Sequence, residues 1–417
     1  MKLNGMYRFF QAQNDFERKV FTFLVVFMML GNVYRFPGFS QLGLGEVLFL
    51  FFIPLYCRKN LDVSVNRFFL GFFIYLGYLA LVSLFMLNNF NAPMDKLFSL
   101  ARVAFYWILI FCFGKNLFRF DYFKKFLSFF TIALSCFILV QTITFALTNY
   151  YIPGFIPGLP LNQSAADTFE TIQHTLESAY YLGFIRPSGF LLEPSHCVQA
   201  LFVGLALFMN DEFLDEKKKI IFILIVSFAI LATMSTTGIV VLIFSCFFYF
   251  FDEKKSIGTK LLIVLALLCC LLLMMSGSIN IDNWAVDRFL NIVNKSEIDA
   301  SSEMRLNNGV LIMENFPFLW KLFGTGMGMF DYVVMDLGLS NAVNYMNTLS
   351  FILFSAGYVG MFLWVVSLFI FLLYSNRLGK CLTIGFFILT TGCSIFCQPV
   401  MVWIFLVVMS NMRKNND

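Results

Sequence analysis

Lys217-Lys-Lys-Ile-Ile-Phe-Ile-Leu-Ile-Val-Ser-Phe-Ala-Ile-Leu-Ala-Thr-Met234-Ser-Thr-Thr-Gly238, running on through Ile239 to Phe251 and into Lys254-Lys255, decides how this chain folds. Basic clusters bracket the stretch, and such clusters stay on the cytoplasmic side of a bilayer. The chain between them is almost wholly apolar, so it must leave that side and return. Only about 34 residues are available, and two helices of roughly 14 residues reach about 21 Å each at 1.5 Å per residue. A hydrocarbon core is about 30 Å thick. The turn Met234-Ser-Thr-Thr-Gly238 is therefore expected within the outer leaflet. The same argument places the turn Ser394-Ile-Phe-Cys-Gln-Pro399 of residues 381–411 at membrane depth. Irregular backbone survives there only when protein or a water-filled cavity covers it. Two such hairpins predict an outward-facing cavity floored inside the membrane.

Composition gives the same class. Of 417 residues, 59% are hydrophobic and 13% charged, with mean hydropathy +0.80. A soluble domain carries about a quarter charged residues. The chain reads as a single all-α polytopic membrane domain over residues 1–417. Twelve spans are expected, near 20–34, 39–56, 68–87, 98–114, 126–149, 196–210, 220–234, 237–251, 261–277, 357–375, 381–395 and 399–411. Most of the 29 Lys and Arg fall on the side that holds both termini, which the positive-inside rule makes cytoplasmic. The opposite side keeps Arg35, Lys96, Arg102, Arg186, Arg288, Lys295, Arg305 and Lys321. Met1 to Lys19 is polar and no small-residue cleavage site follows the first apolar run, so that span is expected to remain as an anchor.

Ten cysteines and two histidines limit the chemistry. The cysteines lie mostly inside apolar runs, no CxxC pair exists, and small packed residues are the expected role. A histidine-based metal centre is not expected, and neither a metal nor any other cofactor is. No Asp-x-Asp motif of the kind that holds a metal for a nucleotide-sugar donor occurs, and nothing suggests a nucleic-acid partner. Gly324-Thr-Gly-Met-Gly328 resembles a phosphate-binding glycine loop only superficially, since no strand precedes it and no Lys-Ser/Thr pair follows.

Two external loops remain, 150–195 and 278–356. The first opens with the Pro/Gly-punctuated Tyr150-Tyr-Ile-Pro-Gly-Phe-Ile-Pro-Gly-Leu-Pro160, which forbids a long helix, and a short surface helix is expected within Asn162–Ser178. It closes on Arg186-Pro-Ser-Gly-Phe-Leu-Leu-Glu193-Pro-Ser-His196, immediately before an apolar run. The second loop contains an apolar stretch, 344–356, read as a re-entrant or interfacial helix.

Charged groups at a membrane mouth are costly without a partner, a cavity or an anionic ligand. Arg186 and Arg305, one in each loop, have the planar fork that grips phosphate oxygens; for Arg305 the alternative is an ion pair with Glu303 or Asp299. Glu193 can act as a general base on a sugar hydroxyl if partial burial raises its pKa, or cap a helix, or pair with Arg186. His196 is a second candidate base, or a satisfied interfacial histidine. Glu46 and Arg102, expected at similar depth in two spans, form a structural pair or offer a second basic contact to a lipid phosphate.

Together these features resemble the bacterial O-antigen polymerase (Wzy) and O-antigen ligase superfamily. The residues carrying the likeness are Arg186 to His196, the hairpin at Ser235-Thr-Thr-Gly238, and Arg305 leading to Pro317 and Gly324 to Gly328. Tyr345-Met-Asn-Thr-Leu followed by Gly357-Tyr-Val-Gly360 completes it. The resemblance implies a glycosyltransferase of the C type (GT-C) in the bacterial inner membrane. It would work on the periplasmic face in lipopolysaccharide or other surface-polysaccharide biosynthesis. A glycan would pass from an undecaprenyl pyrophosphate carrier to an acceptor hydroxyl, with no metal or nucleotide. Donor and acceptor would both be lipid-linked oligosaccharides in a polymerase, with Arg186 and Arg305 on the pyrophosphate. A chain-length regulator would be a further partner, and Glu46, Arg102 and Asn347 would support the site. Ligases commonly carry His-Asn where this chain has Met346-Asn347, which favours the polymerase and leaves the base open between Glu193, His196 and no side chain. The rivals are the ligase, which transfers the glycan to lipid A core, and a lipid-linked oligosaccharide flippase. A flippase should carry charges deep in many spans and show internal repeats.

Overall fold

A computed structural model describes residues 2–36, 42–56, 70–156, 159–161, 185–191, 193–210, 214–252, 257–258, 260, 309–339 and 346–412. Among these, every regular element is helical, and extended backbone pairs only at isolated bridges. The protein is therefore an all-α membrane protein. Four helical stretches are long and apolar enough to cross a bilayer: Leu70–Asn89, Met94–Phe113, Phe120–Thr148 and Thr348–Tyr374. Shorter apolar helices account for other runs of the sequence, and the run at 261–277 lies outside the described residues. The helices fall into two compact units, Met1–Asp62 with Phe113–Phe289, and Val63–Cys112 with Leu290–Asp417.

The first unit contains α1 (Lys2–Gly31), α2 (Leu44–Tyr56), α5 (Phe120–Thr148), α6 (Pro194–Asn210), α7 (Glu216–Ala232) and α8 (Thr236–Phe250); α3 (Leu70–Asn89) and α4 (Phe98–Ile108) belong to the second. Every residue from Cys197 to Met209 is buried, as expected for a helix that is apolar all round and sits at the centre of a bundle. Gly204 lets α6 approach α5 closely, because a Cβ there would strike Thr131. Helices α7 and α8 have 17 and 15 residues, so at about 1.5 Å per residue neither spans a full hydrocarbon core of about 30 Å. The turn between them holds Met234 at φ 50°, a left-handed conformation costly for a side chain of this size. Its side chain is nonetheless buried.

The second unit adds α9 (Phe318–Phe323), α10 (Phe330–Asp336), α11 (Thr348–Tyr374), α12 (Arg377–Gly392) and α13 (Val400–Ser410). Its core is aromatic. Phe72 stacks on Phe371 at 5.3 Å and lies 4.4 Å from Trp107, while Phe405 packs on Trp107, Phe371 and Phe386. Offset and tilted ring pairs of this kind add to area burial. α11 is two helical segments joined at Gly357, whose φ of 63° and ψ of −167° break the helix. The break falls where the apolar stretch 344–356 meets the run 357–375 in the sequence.

Candidate functional site

The Arg186–His196 segment belongs to the first unit, where α5 and the start of α6 hold it. Gly189 takes φ 58°, and a Cβ at that position would run into Leu134 and Ile138 of α5. Both facts require glycine. Its N–H donates to Gln141 Oε1 at 2.9 Å, and Gln141 Nε2 donates to the carbonyl of Ile152 at 2.8 Å. One buried glutamine of α5 thus ties residues 150–156 to residues 185–191. Gly154 sits directly against the Gly189 carbonyl. Phe190 packs on Phe130 and Phe137. Burial pushes the Tyr151 phenol above its ordinary value, and a hydrogen bond with Ser188 works in the other direction. The buried Cys197 thiol donates to the Ser188 carbonyl.

Pro194 opens α6, where its missing N–H costs nothing. The Glu193 carbonyl accepts from the N–H groups of His196 at 3.1 Å and Cys197 at 3.2 Å. Its carboxylate Oε2 accepts from Ser195 Oγ at 2.9 Å and stands 3.8 Å from His196 Nε2. The Glu193 side chain is 39% exposed and that of His196 23%, so both keep a polar face outward. Arg186 is half-buried, set between buried Ile185 and Pro187. Glu193, Ser195 and His196 therefore meet on one helical turn, with Arg186 in the non-helical lead-in. A helix N-terminus also favours negative charge.

Sequence reasoning assigned no role to Ser195 or Gln141. Ser195 lay inside the quoted motif. Gln141, the only glutamine in the apolar run 126–149, was the signal available for the second.

Arg305 lies outside the described residues. Glu46 is buried in the first turn of α2, where Oε2 accepts from the Gly43 N–H at 3.0 Å. The Glu46 N–H donates to Asn32 Oδ1 at 3.2 Å. This is a capping box in which the cap side chain comes from the end of α1. Gly43 makes room for it, since a Cβ there would overlap Asn32. Arg102, on α4 of the other unit, places its guanidinium 5.4 Å from the Phe98 ring. Asn347 caps α11. Its Oδ1 accepts from Ser350 N–H at 2.8 Å and its Nδ2 donates to the Thr391 carbonyl at 2.8 Å. Thr348 extends the latch, donating to Cys393 O and accepting from Ile395 N–H.

The glycine-rich loop is committed internally. Gly324 N–H donates to Trp320 O, Thr325 N–H to Phe354 O, Gly326 N–H to Ser355 O and Met327 N–H to Ser83 Oγ. These bonds serve the break at Gly357, where Tyr78 Oη also donates to Phe323 O at 2.7 Å and Ala356 O at 3.0 Å. Four successive N–H groups that a phosphate would need already have acceptors. Among the described residues no three His, Cys, Asp or Glu side chains cluster as metal ligands. No protein-family model matches this chain, and no curated protein matches its sequence.

Proposed function

We propose that this chain is a surface-polysaccharide polymerase of the O-antigen type: a C-type glycosyltransferase with about twelve spans in the inner membrane, joining lipid-linked oligosaccharide repeat units on the periplasmic face. The observation that carries the reading is the lip of α6, where Glu193, Ser195 and His196 meet at the end of an apolar helix with the glutamate and histidine side chains partly exposed, and half-buried Arg186 lies in the segment leading to it. Such a group at a membrane mouth is costly unless it serves a ligand.

In this reading the growing glycan on undecaprenyl pyrophosphate is the donor, and Arg186, with Arg305, binds its pyrophosphate. The hydroxyl of an incoming lipid-linked repeat attacks the anomeric carbon. The bond from that carbon to the pyrophosphate oxygen breaks as the new glycosidic bond forms. The acceptor proton passes to the Glu193 carboxylate, which Ser195 and His196 hold in place, and guanidinium groups stabilise the charge growing on the leaving pyrophosphate. Energy comes from the pyrophosphate linkage already made.

Deleting the gene and running the surface glycan on a gel tests the reading. A ladder that collapses to core plus one repeat unit supports polymerisation. Loss of all capped core with accumulation of long lipid-linked polymer would assign the chain to ligation. Loss of every periplasmic glycan species would make it a flippase, and an unchanged ladder would end all three. Arg186→Lys, which replaces a fork by a point charge, should reproduce the deletion while leaving protein abundance unchanged.

A further inference from the structure

We infer that α9, in the stretch 278–356 that the sequence places outside the membrane, lies in the outer interface of the bilayer and contacts lipid. Three observations converge on it. The first is depth. α11 ends at Tyr374, just before Arg377 and Lys380, and such a pair marks the cytoplasmic boundary. From Tyr374 back to Gly357 is 17 residues, or about 26 Å of helix, against a hydrocarbon core of about 30 Å. Gly357 therefore sits near the outer edge of the hydrocarbon. α9 is fixed at that level, because a Cβ on Gly357 would meet Leu322 O and Gly324 N at 2.5 Å.

The second is the exposed face. Phe318 is 75% exposed and Leu319 63%, and Phe323 is exposed as well. α11, long and apolar enough to cross a bilayer, likewise exposes Tyr358 and Phe362 just after its break at Gly357. The third is amphipathic chemistry. Trp320 is half-buried, its ring edge-on to Phe316 and Phe90, and Lys321 donates to the Glu314 carbonyl at 3.0 Å. An indole and a lysine flanking an apolar edge suit the boundary between acyl chains and headgroups. A soluble protein partner would need this face clear of the bilayer, and the depth of Gly357 leaves no such clearance.

The placement explains the local hydrogen bonding. Backbone at membrane depth must satisfy its groups internally, and residues 325–327 do so against Ser83 and the carbonyls of Phe354 and Ser355 before the break.

The test uses the full-length protein in nanodiscs whose phospholipids are brominated at a shallow or a deep acyl position. The emission that Trp320→Phe removes is the Trp320 signal. Shallow bromines should quench it by roughly half or more, deep bromines less, and aqueous iodide little. Leu319→Trp in the Trp320→Phe background provides a second reporter that projects outward and should follow the same order. Quenching by iodide with no response to bromolipid, or no response to either quencher, would overturn the inference.

Discussion

Residues 185–196 and 324–328 are both glycine-containing connections leading out of loops, yet their polar atoms are used in opposite ways. In the second, each N–H from Gly324 to Met327 is bonded to the chain itself, and the glycines admit backbone against backbone. In the first, the backbone is likewise tied down through Gln141, but the carboxylate and imidazole at its end keep an open side. Glycine richness in the second segment reports close approach of backbone to backbone, whereas in the first the proposed site would draw on charged side chains that remain partly exposed.

The comparison breaks most severely at the glycines. Gly324 and Gly357 adopt φ of 83° and 63° with ψ near 180°, a region essentially reserved for glycine. A Cβ at either would meet backbone atoms at 2.5 Å. Gly324→Ala or Gly357→Ala should therefore cost about 3 kcal/mol or more, seen as lost folded protein in detergent size-exclusion and thermal-melt assays. A stable, fully active Gly324→Ala would mean that the loop is not the structural strut described.

The next effect belongs to Gln141. Gln141→Leu leaves the buried Gly189 N–H and the Ile152 carbonyl without their partner, at about 1–3 kcal/mol. Activity should fall further than stability, because residues 150–156 and 185–191 lose their common anchor and Arg186 its position. A variant destabilised but fully active per folded molecule would detach the 185–191 segment from function. Tyr78→Phe sharpens the scaffold side. It deletes the hydroxyl bonded to Phe323 O and Ala356 O, at about 1 kcal/mol, with activity per folded protein unchanged.

These ranks follow from what a sequence can carry. The class was legible because apolar runs and basic clusters are local, and so was the pairing of α7 with α8, since the distance between lysines bounds the helices. The proximity of Glu193 and His196 was legible because the two lie one helical turn apart. The Glu46 cap was not, because half of it comes from Asn32, and a carboxylate in an apolar run reads from sequence as an ion-pair partner. Asn347 likewise gains its meaning from Thr391, and the glycine loop from Ser83, 244 residues away in the case of Met327. The expectation of twelve spans counted apolar runs by hydropathy; among the described residues four helices meet both length and hydropathy, and several other runs fold as shorter helices, two of them buried almost throughout.

The smallest effect should come from the polar end of α1, where charge is plentiful and the pairs are largely exposed. Asp15 and Lys19 pair at 3.0 Å one turn apart, Tyr122 donates to the same carboxylate, and Lys19 stands 5.0 Å from the Tyr122 ring. The hydrogen bond from Lys19 holds the Asp15 carboxyl below its ordinary value, aided by the one from Tyr122, with burial acting the other way. A carboxyl depressed by folding stabilises above its unfolded value, and that stabilisation disappears as pH falls through the lower folded value. Its whole contribution is thus present at neutral pH. Both side chains are well exposed, however, and salt screens such pairs. Asp15→Asn should leave the melting midpoint at neutral pH and physiological salt unchanged within error, and the variant and the parent should remain together in acid. A neutral-pH loss as large as that of Gln141→Leu, closing as pH is lowered, would show that the α1–α5 contact carries stability on the scale of the buried anchors, and that exposure is a poor guide to which polar groups this fold depends on.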